Sequence, residues 1–393
     1  MKDVDRLLRS RALPCSVVAL VALVLRVVSA SGPYYVDAFR HVYAIESGKL
    51  VIHAPGYFLF NAIGFVLSHL LHASAGSALQ ILNIAFSVAG AAVFYLLVSR
   101  ITAITSPFLL ALAYVCSPIV WFSGDIHSTY AAMTLFAPLL ILVVECERSF
   151  IWGCVVWAVM TGFRPSDGIF VLPWMVFQAL RFPWKKRLIG ITAAMPLVAG
   201  WWIPTAKLAH SNMTSPLRSS GVQAHRLAQG VLSGHVGIHA FVNMFHAAAG
   251  VTMTWGLLTP FVCLGAVAFA RNAVVRSMTV FLVPGVAFLF LYFISDGLYF
   301  AYAAAAGLVL AGVYLARWSP RQRQAGYAVA IAASLLFMGC ARAADGKSSR
   351  IRAVTDAYFL KYSVRSLKEK KSPRLANLLD ACGDSSVRGP CKD

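Results

Sequence analysis

Long apolar runs alternate with short polar breaks along most of this chain. Near-20-residue apolar runs recur between residues 14 and 343, and each ends in a segment that contains charged residues, Gly or Pro. Runs of this length match the hydrocarbon thickness of a bilayer, whereas the strands of a membrane barrel would alternate apolar and polar residues. Because backbone amides in lipid need partners within the chain, spanning segments form helices. The pattern predicts an all-α polytopic membrane protein.

Composition agrees with this prediction and restricts the classes of binding partner that we expect. The hydrophobic fraction is 59%, the charged fraction 12% and the mean hydropathy +0.72, which lie outside the range of soluble domains. The net charge is +19, but the basic residues are spread over short loops and a tail. Membrane topology and anionic lipid account for this charge better than nucleic acid does, so we expect membrane lipids and no nucleic acid as partners.

The first apolar run sets the orientation. A cluster of Arg6, Arg9 and Arg11 precedes the run at residues 14–30 and, by the positive-inside rule, keeps the N-terminus in the cytoplasm. The alternative, a cleaved secretion signal, is less favoured because Arg26 interrupts the run. In both cases the chain emerges on the outer side after residue 30.

Residues 57–72 decide the rest of the topology. This apolar stretch is short for a crossing. If it crossed, the basic loops at 181–187, 271–276 and 317–323 would all lie outside, against the positive-inside rule. We therefore expect a helix on the outer surface and about eleven transmembrane helices. The predicted crossings are 14–30, 77–99, 102–121, 126–144, 150–163, 168–180, 188–206, 246–270, 277–294, 298–316 and 325–343.

This topology divides the chain into a transmembrane domain and a tail. The domain covers residues 1–343, with a first outer loop and surface helix at 31–76 and a long outer loop at 207–245. The basic tail, 344–393, is expected to face outward. It contains Cys382 and Cys391, for which a short-loop disulfide and two free thiols both remain open.

Polar chemistry collects on the predicted outer face. All ten histidines fall there, together with Asp37, Glu46, Asp125, Asp167 and Asp296. Ionisable residues gathered at one membrane face are a functional-site hypothesis, and the alternative is ordinary solvation of loops. Asp37 follows the first span, where a carboxylate packed against apolar neighbours suits a general base, although helix capping or solvation would also explain a lone Asp.

The segment from Asp37 to Tyr57 has an Asp beyond the first span, Tyr43 six residues later, and His53-x-Pro-Gly-Tyr57 before the surface helix. With these features it resembles the first outer loop of the GT-C superfamily of lipid-linked glycosyltransferases. The superfamily includes protein O-mannosyltransferases (glycosyltransferase family 39) and aminoarabinose transferases. Its members often have Asp-Glu where this chain has Asp37-Ala38, so the resemblance supports one carboxylate here.

Two further stretches extend the resemblance to roughly residues 10–210. Residues 118–125, which end in Asp125, are similar to the second outer loop of the superfamily, and residues 162–167 resemble its broken helix pair. The resemblance implies that Asp37 is catalytic. The substrate-binding candidates are His53, Tyr57, Asp125, His127, Arg164 and Asp167.

Two questions remain open at the predicted site: whether Arg164 binds a phosphate, and whether Asp37 and Asp125 bind a cation. An exposed Arg164 guanidinium at a helix break fits a phosphate, while an ion pair with Asp167 three residues later explains it equally well. Asp37 and Asp125 together offer oxygen ligands for a divalent cation, but some relatives work without metal, so no cofactor is assigned.

The resemblance implies transfer of a mannose-like hexose from a polyprenyl-phosphate donor, with Asp37 as general base. Nucleotide sugars are made in the cytoplasm, and the chain has no Gly-rich phosphate loop, so an outer-face site needs a lipid-borne donor. The acceptor hydroxyl belongs to an unknown protein, lipid or glycan, and a single displacement inverts the anomeric carbon. A transporter and a lipid-linked glycan ligase or polymerase are the alternatives. A bacterial plasma membrane is favoured over the endoplasmic reticulum.

Overall fold

A computed structural model shows the chain as a helical bundle. It describes residues 2–30, 36–51, 57–208, 247–248, 250–291 and 297–343, and these ranges contain no strand, which confirms the all-α prediction. The α-helices are α1 (Lys2–Ser29), α2 (Val36–Glu46), α3 (Phe58–Leu70), α4 (Ala75–Arg100), α5 (Pro107–Cys116), α6 (Pro118–Asp125), α7 (Tyr130–Ile141), α8 (Phe150–Phe163), α9 (Pro165–Ala179), α10 (Trp184–Leu208), α11 (Thr259–Ala268), α12 (Ala273–Leu291), α13 (Ala304–Leu315) and α14 (Pro320–Ala343), with a π-helical turn at Leu142–Cys146 and 3-10 helices at Gly256–Leu258 and Gly297–Ala303.

Several of these helices are long and apolar enough to cross a bilayer. Among the described residues there are six, or seven if the bent pair of α5 and α6 is one span. The six are Ala12–Ser29, Ala75–Arg100, Trp184–Leu208, Gly250–Ala268, Leu298–Leu315 and Pro320–Cys340. Four shorter apolar helices accompany them. The protein is therefore a multi-pass integral membrane protein, and the count of eleven crossings stays a prediction.

Helices α1 and α4 pack antiparallel. Cys15 Sγ lies 3.9 Å from the carbonyl oxygen of Ala92, and Arg26 Nε donates to Ser87 Oγ at 2.9 Å. The end of α1 and the start of α4 therefore lie at the same end of the bundle. Helices α2 and α3 connect them, and α3 has 13 residues, about 20 Å of helix against roughly 30 Å of hydrocarbon. This geometry agrees with the predicted surface segment.

Polar groups mark two ends of the bundle. The Asp125 end comprises the last turns of α1, α6 and α8 and the first turns of α4, α7 and α9. The Glu145 end comprises the opposite termini of α4, α7, α8 and α9, with ion pairs between Arg100 and Glu147 and between Arg181 and Glu145. The basic loops at 181–187 and 317–323 lie at the Glu145 end, as the charge pattern predicts.

Two proline residues break helices at the Asp125 end. The segment predicted to cross at 102–121 contains a bend, because α5 and α6 meet at an angle of 52° around Ser117, and its crossing of the membrane stays a prediction. Proline disfavours the helical conformation in the residue before it, and Ser117 has extended backbone angles, with its Oγ donating to the Thr254 carbonyl at 2.7 Å. Pro165 has the same effect on Arg164, so the predicted break between α8 and α9 is confirmed.

Candidate active site at the Asp125 end

Arg164 lies at the break between α8 and α9 and points into the bundle. Its side chain is 2% exposed, so the predicted exposed guanidinium is wrong. The extended backbone at Arg164 turns the side chain inward, where Nε donates to Asp167 Oδ1 at 3.0 Å and Nη1 donates to Thr129 Oγ1 at 3.1 Å. The ion pair offered as the alternative interpretation is therefore present.

Three tyrosine rings surround this guanidinium. Its central carbon lies 3.9 Å from the ring centroid of Tyr130, 4.5 Å from that of Tyr299 and 6.0 Å from that of Tyr57. Burial opposes the charge, but Tyr130 and Asp167 raise the pKa of Arg164 well above its usual value, so the group remains a cation. Within the described part of the chain, its Nη2 atom has no hydrogen-bond partner. We call Arg164, Asp167 and the three rings the tyrosine cage.

Asp125 belongs to a second buried network. It is 2% exposed, and its Oδ1 accepts a hydrogen bond from Ser29 Oγ at 2.6 Å. Trp121 Nε1 donates to the same Ser29 oxygen at 2.9 Å. Arg26 lies beside them, fully buried, with Nη2 donating to the Val115 carbonyl at 3.0 Å and its central carbon 5.6 Å from the Trp121 ring. The network ties the end of α1 to α6.

A polar face on α4, which was not among the predicted site residues, supports this network. Gln80 Nε2 donates to the Gly124 carbonyl at 3.1 Å, Asn83 Nδ2 donates to the Ile126 carbonyl, and Ser87 accepts from Arg26. Their spacing of three and four residues places them on one helix face, so polar residues at helical spacing inside an apolar span were the available signal. His127, 2% exposed, lies in the connection that Asn83 holds.

Helices α2 and α3 meet through a buried polar contact. His41 Nδ1 lies 2.7 Å from Asn61 Oδ1, and Asn61 Nδ2 donates to the Leu50 carbonyl at 2.8 Å. The His41 ring also contacts the rings of Tyr57 and Phe60, with centroid distances of 5.5 and 4.9 Å. Tyr57 precedes α3 with φ at +48°, a left-handed conformation that side chains seldom adopt.

The structure places the predicted site residues in different parts of the Asp125 end, and the side chains of two of them are not described. Tyr57, Arg164 and Asp167 come together in the tyrosine cage, while Asp125 joins the Ser29 network at the same end. Asp37 lies in helix α2, which corrects its predicted place in a loop, and its side chain is outside the described residues. His53 also lies outside them. Across the described ranges, no three His, Cys, Asp or Glu residues group to hold a metal ion.

An apolar groove of about 430 Å³ lies between α1 and α4. The side chains that line it include Ala19 and Leu23 of α1 and Ile81, Val88 and Ala92 of α4. Because the helices are antiparallel, the part lined by Leu23 and Ile81 is the part nearer to the Asp125 end. Such a groove suits an alkyl or isoprenoid chain.

Comparison with known proteins identifies the fold. No protein-family model and no curated protein matches the sequence. ArnT from Cupriavidus metallidurans in the apo state is similar with a TM-score of 0.61 and 15% identity, over 93% of this chain and 74% of that chain. The structure of the same protein bound to undecaprenyl phosphate has a TM-score of 0.58 and 15% identity, over 94% and 73%.

A third structure, the arabinofuranosyltransferase AftD from Mycobacteria, has a TM-score of 0.40 and 17% identity, over 81% of this chain and 26% of that chain. The likeness to ArnT confirms the GT-C-like fold that the sequence predicts.

Proposed function

We propose that this protein is a membrane glycosyltransferase that transfers a sugar from a polyprenyl-phosphate donor to an acceptor hydroxyl. One observation carries the proposal: buried charged and polar groups collect at the Asp125 end of a fold shared with ArnT, one of whose structures holds undecaprenyl phosphate. The alternative of a transporter would favour ionisable residues at the bilayer midplane. Here they gather at the helix ends.

The Asp125 end faces outward in this proposal. Positively charged loops favour the cytoplasm, and the loops at 181–187 and 317–323 lie at the Glu145 end. The eleven crossings, the catalytic domain at 1–343 and the outward tail belong to the same topology. A donor on the outer side must be carried there by lipid, and an apolar groove between α1 and α4 offers its isoprenoid chain a surface.

The reaction is a single inverting displacement. Asp37 takes the proton of the acceptor hydroxyl as its oxygen bonds to the anomeric carbon, and the bond from that carbon to the phosphate oxygen breaks. The polyprenyl phosphate leaves with the bonding electron pair. The positive charge of Arg164 favours this departure, and His53, Tyr57, Asp125 and His127 contribute to the substrate site. The sugar is a mannose-like hexose, and the acceptor is a protein, lipid or glycan.

The test is transfer of labelled hexose from a polyprenyl-phosphate hexose by the purified protein in liposomes. Asp37→Asn should lower kcat by about 100-fold or more, because a general base contributes that much. Glu46→Gln, on the same helix but exposed, removes the same charge and should transfer like wild type. Asp37→Asn transfer at the wild-type rate would contradict the assignment of the base. Movement of the sugar-lipid across the membrane without transfer of the sugar to an acceptor would contradict the proposal that the protein is a glycosyltransferase.

A further inference from the structure

We infer that His41 is a positioning residue for Asp37, acting through a hydrogen bond to Asn61 that holds α2 against α3. The inference rests on the proposed function, in which Asp37 is the general base. Asp37 and His41 are four positions apart in α2, one helical turn. The contact that orients α2 on the bundle therefore lies one turn from the residue that must meet the acceptor.

The hydrogen bond has a defined direction. The Asn61 amide is oriented because its Nδ2 donates to the Leu50 carbonyl at 2.8 Å, so its Oδ1 is the acceptor towards His41. His41 Nδ1 consequently carries the proton. His41 is 2% exposed and Asn61 1% exposed, so water cannot readily replace either partner. Losing one partner leaves a buried polar group of the other unsatisfied, which favours separation of the two helices.

Aromatic contacts connect this hydrogen bond to the tyrosine cage. The His41 ring meets the Tyr57 ring edge-on at 5.5 Å, and the Arg164 guanidinium lies over the Tyr57 ring at 6.0 Å. The backbone of Tyr57 is in the left-handed region, which is strained for a residue with a side chain. Contacts with the surrounding residues must therefore hold Tyr57 in this conformation. Contacts thus run from the break between α8 and α9 through Tyr57 to α2, and they place α2 relative to the buried charge.

His41→Phe keeps an aromatic ring against Tyr57 and Phe60 and deletes the Nδ1 donor. A general base misplaced by about 1 Å loses on the order of 100-fold in rate. We expect kcat to fall about 10- to 100-fold while KM for the polyprenyl-phosphate hexose changes less than about twofold, because the contact orders the base rather than the donor. Amide hydrogen exchange in residues 36–46 should become faster.

Trp174→Phe is the matched control. Trp174 is fully buried, and its Nε1 donates to Ser277 Oγ at 2.8 Å towards the Glu145 end, so the variant also deletes one buried donor and keeps a ring. It should lower thermal stability to a similar extent with wild-type kcat and wild-type exchange in α2. Asn61→Asp is a second variant, which retains an oxygen acceptor for Nδ1, whereas Asn61→Leu deletes both the acceptor and the Nδ2 donor to the Leu50 carbonyl. It should keep more activity than Asn61→Leu.

The outcomes separate the inference from the proposed function. Wild-type kcat in His41→Phe, a kcat loss in Trp174→Phe of the same size, or equal losses in Asn61→Asp and Asn61→Leu would overturn the inference while wild type still transfers sugar. Unchanged exchange in α2 would overturn it independently of turnover. Absence of transfer by wild type would overturn the proposed function, and the role of His41 in the reaction with it.

Discussion

Removing Asp167 should destabilise the protein more than removing Asp167 and Arg164 together. Asp167 is fully buried and accepts from Arg164 Nε at 3.0 Å. In Asp167→Ala the guanidinium stays buried between the Tyr130 and Tyr299 rings with its charge partner gone. Breaking a buried pair in this way costs about 3–5 kcal/mol. Cation–π contacts of about 0.5–2 kcal/mol each already exist in wild type and do not replace the carboxylate.

The double variant Arg164→Met/Asp167→Ala removes the stranded cation. Replacing both members of a buried pair with apolar groups is often nearly neutral, and loss of the cation–π contacts adds roughly 1–2 kcal/mol. We therefore expect the double variant to lose about 1–2 kcal/mol, which is at least about 1 kcal/mol less than the loss in Asp167→Ala alone.

The assay is reversible unfolding in mixed micelles with increasing SDS. Glu147→Ala is the control, since its ion pair with Arg100 is exposed by 47% and 39% and should be worth at most about 1 kcal/mol. A loss in Asp167→Ala no larger than in Glu147→Ala, or a double variant less stable than the single, would refute the reasoning about burial.

Two further predictions concern close packing and the Ser29 network. Gly90→Ala should destabilise by about 1–3 kcal/mol in the same unfolding assay, because a methyl group there meets the Thr134 backbone, whereas Gly200→Ala has open space and should match or exceed wild-type stability. Equal stability of the two variants would contradict the close approach of α4 and α7. Ser29→Ala removes the hydroxyl that donates to Asp125 at 2.6 Å and should lower the free energy of unfolding by about 1–3 kcal/mol. In the control Ser99→Ala, the lost hydroxyl donates to the Leu96 carbonyl of its own helix, and the loss should be less than about 0.5 kcal/mol. A larger loss in Ser99→Ala than in Ser29→Ala would refute the importance of the network.

The sequence predicts the features of this fold that depend on local pattern. Apolar runs predict the spanning helices, the resemblance at residues 162–167 predicts the break at Arg164, and charge predicts the separation of the two ends. Helix α2 carried a signal as well, since Ala38, Val42 and Ile45 are all buried and recur at helical spacing. Because charged residues are concentrated in the same segment, its polar character favours the prediction of a loop over that of a helix.

The tyrosine cage has no such local signal. Its rings come from positions 57, 130 and 299, which no periodicity links to Arg164. The sequence predicts the ion pair between Arg164 and Asp167 because residues three positions apart are neighbours on a helical turn. The burial of that pair depends on how several separate segments pack, which no local pattern predicts. Arg26 is similar, because its partners Ser87 and Val115 belong to other helices and its sequence context shows only an interrupted apolar run.

The cluster around Glu145 and the two buried guanidinium groups at the Asp125 end differ in how completely their polar atoms are bonded. At the Glu145 end, the Glu145 carboxylate accepts from Arg181, Gln178 and Ser277, and none of these side chains leaves a buried polar atom without a partner. At the Asp125 end, Arg26 Nη1 and Arg164 Nη2 have no hydrogen-bond partner in the described part of the chain. Unpaired buried donors are costly and persist mainly where a function needs them. The contrast favours a stabilising role for the Glu145 end and a binding role for the Asp125 end, since two buried cations that retain donors are poised to meet an anionic group.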